Sequence, residues 1–151
     1  MRKLLPSGLV LVAGMLAPPS AVAPHAQERP ADYRFHLIRK FFQKSDCPAQ
    51  SYAQAFLDAS DRYDLDWRLL PSLSYIESTG GKAARNNNLF GWDGGRAEFA
   101  SPVAGILEVG NRLANSSLYK DKELDELLAT YNSSEDYGRK VKSVMRRIGP
   151  E

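Results

Sequence analysis

The sequence predicts a mainly α-helical domain with one non-helical insertion. Three observations point there. Apolar residues recur at helical spacing in most segments after Tyr33, proline marks helix starts at Pro48 and Ser101-Pro102, and glycines and asparagines gather in residues 79–100. At 151 residues the chain is long enough for one domain with a substantial core, and too short for two once its leading segment is set aside.

Residues 1–23 read as an export signal peptide. Met1-Arg2-Lys3 is a positive start, Leu4 to Leu16 is an apolar run broken by Pro6, Gly8 and Gly14, and Ala21-Val22-Ala23 has the small-x-small form of a signal-peptidase site. A cut after Ala26 and an uncleaved anchor are the alternatives, although so short and broken a run spans a bilayer poorly. Residues 24–45 read as a linker and a short docking helix. The Pro, His, Gln, Glu and Arg of residues 24–31 have nothing to bury, whereas Leu37, Ile38, Phe41 and Phe42 fall on one face of a helix from Tyr33 to Lys44.

Residues 46–151 form the domain proper. Asp46 or Cys47 ahead of Pro48 starts a helix whose stripe is Tyr52, Phe56, Ala59 and Tyr63 and which ends near Asp64. Asp66 is the next N-cap, opening a helix that runs to Glu77, with its regular part beginning at Leu69 or Leu70 because Pro71 removes a backbone donor. An irregular loop or short hairpin follows. Ser101 and Pro102 then restart a helix as N-cap and N1, with Val103, Ile106, Leu107, Gly110 and Leu113 inward. A short helix over about Lys122 to Tyr131 precedes a last one from about Ser134 to Ile148, whose stripe is Val141, Val144, Met145 and Ile148.

Charge and composition narrow the function. Of 20 basic residues against 18 acidic ones, Arg2 and Lys3 belong to the leader, so the remainder balances and offers no footprint for nucleic acid. Cys47 is the only cysteine and His25 and His36 the only histidines, which excludes an internal disulfide and the usual N/S metal sites. Gly81-Lys82 resembles the tail of a phosphate-binding loop, but the leading glycine is missing and Ala83 stands where Ser or Thr would hold magnesium. The basic residues of the last helix allow at most weak contact with an anionic envelope surface; a solvated face is the commoner explanation.

Glu77 is the candidate acid. It follows Leu73 by four and Leu70 by seven, which puts it on the apolar face of its helix, and neither Ser74, Leu73, Gly80 nor Gly81 supplies a cation. Burial and the helix C-terminus both favour the protonated form that a general acid needs; the alternative is a helix-edge glutamate with its head in water. The loop beyond it carries amides suited to sugar hydroxyls and, in Phe90 and Trp92, flat faces suited to pyranose rings. Turn chemistry explains Asn86 and Asn87 better, and Leu89 and Phe90 also read as core. Glycoside hydrolysis calls for a second carboxylate or an intramolecular nucleophile, for which Asp93 and Glu98 are the nearby acids. Tyr131 and Tyr137 are further candidates, each with an alternative reading as a packed aromatic.

Glu77-Ser78-Thr79-Gly80-Gly81-Lys82, Asn87-Asn88-Leu89-Phe90-Gly91-Trp92, Phe99-Ala100-Ser101 before a helix and Tyr131-Asn132 before the last helix together resemble the lysozyme-like superfamily. The match spans about residues 50–148, and its closest branches are endo-β-N-acetylglucosaminidase-type peptidoglycan hydrolases and soluble lytic transglycosylases. The resemblance implies a lysozyme-like helical fold acting without cofactor or metal on peptidoglycan glycan strands, in the periplasm, cell envelope or secreted, as a monomer. It implies Glu77 as catalytic acid, Ser78 as its support, Asn88, Leu89, Phe90 and Gly91 as cleft wall, and Tyr131 as site tyrosine; the residues themselves add Trp92 and Tyr137 as candidates beside the substrate. The sequence departs from both branches. Only eight residues separate Phe90 from Phe99, where the glucosaminidases carry a longer lobe with a second acid, and Ser133-Ser134 replaces the small Ala-Gly continuation of the transglycosylases. The expected function is an exported, endo-β-N-acetylglucosaminidase-like enzyme that cleaves peptidoglycan glycan strands with Glu77 as general acid; a lytic transglycosylase forming 1,6-anhydro ends and a non-catalytic glycan-binding module are the alternatives.

Overall fold

The computed structural model describes residues 32–151, so the expected export signal of residues 1–23 and the expected linker of residues 24–31 lie outside the described residues. Among the described residues there are six α-helices and no strand. In order they are α1 (Tyr33–Lys44), α2 (Ala53–Tyr63), α3 (Leu69–Ser78), α4 (Pro102–Asn115), α5 (Leu124–Tyr131) and α6 (Tyr137–Ile148), with a 3₁₀ turn over Pro48–Tyr52 before α2.

The helix at the centre is α3. Leu69 through Ser74 are all buried, so it has no solvent face over its first two turns, as expected of a helix wrapped by others. Pro71 is its third residue and lies within the first turn, where helical N–H groups lack intrahelical partners anyway; the expected bend is therefore absorbed by starting the helix at Leu69. Asp66 caps only a preceding turn, accepting from the Arg68 backbone N–H at 2.8 Å.

Around α3 the remaining helices pack by their apolar stripes. α1 is part of the core rather than an appendage: Ile38 and Phe42 are fully buried, and Phe42 stacks on Phe56 of α2. Its Arg34 bridges Asp32 and Asp61, tying its start to α2. α4 crosses α2 at Gly110, where a Cβ would lie 3.1 Å from the Tyr63 ring, so glycine sets the closeness of that crossing. Ser101 caps α4 as expected, its hydroxyl accepting from the Ala104 N–H at 3.1 Å.

α6 begins at Tyr137 rather than near Ser134, because residues 132–135 are needed to turn the chain out of α5. Three of its basic residues are already engaged. Lys142 pairs with Asp125, Arg139 with Asp136, and the Arg147 guanidinium lies over the rings of Phe41 and Tyr75.

The insertion between α3 and α4 contains no hairpin strands. A single bridge joins Arg85 to Asn88, and the residues between them, Asn86 and Asn87, have φ of +52° and +59°, the conformation that asparagine tolerates in tight turns. The insertion is fastened at both ends. The Ser78 hydroxyl donates to the Leu89 carbonyl at 2.8 Å and accepts from the Gly81 N–H, while Phe99 N–H reaches the Asn86 carbonyl.

Candidate active site

Glu77 stands one residue before the end of α3 and is half-buried. Its carboxylate accepts a 2.6 Å hydrogen bond from the Tyr137 hydroxyl on the first residue of α6, sixty positions along the chain. On its other side is Gly91. With φ of +58°, Gly91 brings backbone against the acid so closely that a Cβ there would lie 2.9 Å from Glu77 Oε2. Glu77 enters no ion pair among the described residues. Its head is neither fully withdrawn nor free in water, but clamped between a hydroxyl and a glycine.

The cleft in front of it encloses about 320 Å³ and is walled by Trp92, Tyr119, Tyr131 and Asn132. The aromatics form one connected group. Tyr131 stacks on Tyr137 with centroids 5.9 Å apart, Trp92 meets Tyr131 edge-on at 5.7 Å, and Tyr119 lies 6.0 Å from Trp92. Arg112 covers the Trp92 ring at 5.7 Å and fixes it from outside.

Burial raises the pKa of Tyr131 and of Tyr137 well above the ordinary phenol value; the hydrogen bond to Glu77 adds to this at Tyr137, and the negative charge of Glu77 does so at Tyr131. Burial raises Tyr119 also. All three therefore keep their protons, and two act as donors: Tyr137 to Glu77, and Tyr131 to the Phe90 carbonyl at 2.7 Å.

The structure brings some of the expected site residues together and not others. Gly91, Trp92 and Tyr131 line the cleft, and Phe90 contributes an edge although its side chain is core, at 1% exposure. Ser78, Asn88 and Leu89 do not line it. The Asn88 amide is consumed by the backbone of Trp92, accepting from its N–H at 2.9 Å and donating to its carbonyl at 3.0 Å, so it shapes the loop instead of meeting a solute. Ser78 is spent on Leu89 and Gly81, and Leu89 is buried beneath them. Tyr137 is buried behind the acid and positions it.

The two candidate second acids separate. Asp93 lies at the rim, exposed and paired with Arg96 at 2.7 Å, and that hydrogen bond holds its carboxyl below the usual carboxylate range. Glu98 is exposed and does not line the cleft. Among the described residues Glu77 is thus the one cleft-lining carboxylate without a cation partner.

Tyr119 and Asn132 line the cleft without having been singled out as binding residues in the sequence. Asn132 was visible beside Tyr131, but Tyr119 sits in a turn with no periodicity to mark it. A larger cavity of about 430 Å³ lies beside Trp67 and Arg68 at the other end of α3. It holds no comparable acid, since Asp66 is committed to Arg68 by two side-chain hydrogen bonds and Glu151 approaches the same guanidinium.

Comparison of the chain with protein-family models, with curated proteins and with solved structures found no match.

Proposed function

We propose that this protein is an exported enzyme that cleaves the glycan strands of bacterial peptidoglycan, with Glu77 as its general acid. The observation that carries this reading is the clamped carboxylate: one acid without a cation partner, fixed by Tyr137 and Gly91 on the wall of an aromatic cleft. The aromatic walls suit the apolar faces of pyranose rings. The resemblance of the Glu77, Asn88–Trp92 and Tyr131 motifs to lysozyme-like enzymes supports the same substrate, and so does the leading segment, because peptidoglycan lies outside the cytoplasm.

In this reading Glu77 gives its proton to the glycosidic oxygen as the C1–O bond breaks, leaving a positively charged sugar and a carboxylate beside it. The anionic Glu77 then takes a proton from the nucleophile that attacks C1, which restores the acid. An inverting or a retaining hydrolase of the usual kind uses a second carboxylate in the cleft. Asp93 lies exposed at the rim beside Arg96 and Glu98 lies elsewhere, so neither is fixed beside Glu77 by a hydrogen bond, which favours the sugar's own 6-hydroxyl as nucleophile, closing a 1,6-anhydro ring.

Mass spectrometry of the fragments released from purified sacculi tests this directly. The expected products end in anhydro sugars, each lighter by one water than the hydrolytic fragment. Reducing ends would restore hydrolysis, and absence of soluble fragments over a range of pH and salt would overturn the enzymatic reading.

Tyr137→Phe separates positioning from packing. The ring stack on Tyr131 survives, while the donor to Glu77 is lost. A hydrogen bond to a charged group is worth roughly 1.5–3 kcal/mol, so kcat is expected to fall about 10- to 100-fold. Steady-state kinetics on soluble glycan fragments should show the fall in kcat with KM nearly unchanged; a change confined to KM would place Tyr137 in substrate binding instead.

A further inference from the structure

A second, polar cavity adjoins the Glu77 cleft. It encloses about 250 Å³ and opens between α5 and α6, where residues 132–135 cross from one helix to the other. Asn132 lines both spaces, so the two share a wall. Its side-chain oxygen accepts from the Ser134 N–H at 2.9 Å, which ties the side chain at the junction and leaves the amide N–H groups without a partner among the described residues.

The chemistry changes across that junction. The cleft is aromatic, whereas the second cavity is lined by Asp125, Glu135, Arg139 and Lys142, charges of both signs. Lys142 Nζ lies 2.7 Å from Asp125 Oδ1 with the aspartate side chain 75% exposed, and Arg139 pairs with Asp136. Ion pairs this open to water contribute little to folding, so their members can change partners at small cost. A neutral sugar would leave these pairs as they are and Glu135 without a cation among the described residues. A ligand bearing carboxylates and an amine would satisfy them.

We propose that this cavity binds the peptide branch of the strand whose glycan is cut at Glu77: a short peptide with free carboxylates and a free amino group. The identity of the strand rests on the function proposed above. Arg139 and Lys142 receive the carboxylates, Asp125 and Glu135 the ammonium group, and the Asn132 amide donates to a peptide carbonyl at the junction. The protein then distinguishes peptide-bearing strands from bare ones.

Cosedimentation with sacculi tests this, using Glu77→Gln protein so that the matrix stays whole, on intact sacculi and on sacculi stripped of peptides by an amidase. Binding to intact sacculi is expected to be about 10-fold tighter, a difference of about 1.4 kcal/mol. Adding Arg139→Ala and Lys142→Ala should equalise the two matrices. Both cations are on the surface, and circular dichroism should report an unchanged fold. Equal binding of both matrices by the Glu77→Gln protein, or a preference that survives the double substitution, would overturn the peptide site. Fragment release by the wild type is scored in parallel. Release without a peptide preference defeats this inference alone; a preference without release upholds it and defeats the enzymatic reading.

Discussion

Glu77→Gln is expected to lower fragment release from sacculi by at least ~10³-fold, within the 10²–10⁴-fold that a positioned acid contributes to one proton transfer and nearer its upper end because the same group serves twice. The amide matches the carboxylate in shape and its oxygen can still accept from Tyr137, so the clamp persists. What disappears is the ionisable proton. Glu77 is half-buried and in no ion pair among the described residues, so thermal unfolding should move little. Measuring both quantities on one preparation makes the comparison decisive. Release equal to wild type would remove Glu77 from the chemistry, and a large fall in melting temperature would attribute any loss to folding.

Gly91→Ala should show the next largest effect, and for two separable reasons. Alanine at φ of +58° is strained by roughly 1–2 kcal/mol, which lowers stability modestly. The new Cβ would also lie 2.9 Å from Glu77 Oε2. That oxygen is the far end of a flexible side chain, so it moves aside easily and the fold survives. The acid, however, leaves its place against Tyr137. A misplacement of about 1 Å can cost ~10²-fold in rate, and a loss of that size in kcat is expected. Activity assays paired with thermal denaturation would check it: a stability loss without a comparable loss of rate would mean that Gly91 serves the loop and not the acid.

The contrast with Gly80 shows why neighbours matter more than residue type. A Cβ on Gly80 would meet Cys47 Cβ at 2.8 Å and the Phe42 ring at 2.9 Å, both buried and unable to retreat. Both glycines lie in the same insertion and both have positive φ, yet one protects the core and the other the acid. Sequence alone gives them the same description.

Much of the helical frame was legible because its causes are local. The face of α1, the Ser101-Pro102 start of α4 and the stripe of α6 each follow from residues three or four apart, and a side chain's place on a helix depends only on that spacing. Glu77 could be singled out for the same reason, since its apolar neighbours and the lack of a nearby cation are properties of one helix. Partners across the chain were not legible in this way. Asn88 was read as a sugar contact because a free amide suits one, but loop closure returns the Trp92 backbone to it and uses both ends of the amide. The hydrogen bond from Tyr137 to Glu77 joins residues sixty positions apart, and Tyr119 reaches the cleft from a turn that carries no pattern. Residue spacing decided most of the side chains that face inward, although Val103, expected inward on α4, is 39% exposed. Which of them meet, and which are left free to do chemistry, depended on the packing of α3 against α6 and of the insertion against both, because a hydrogen bond exists only where folding places its two ends within about 3 Å.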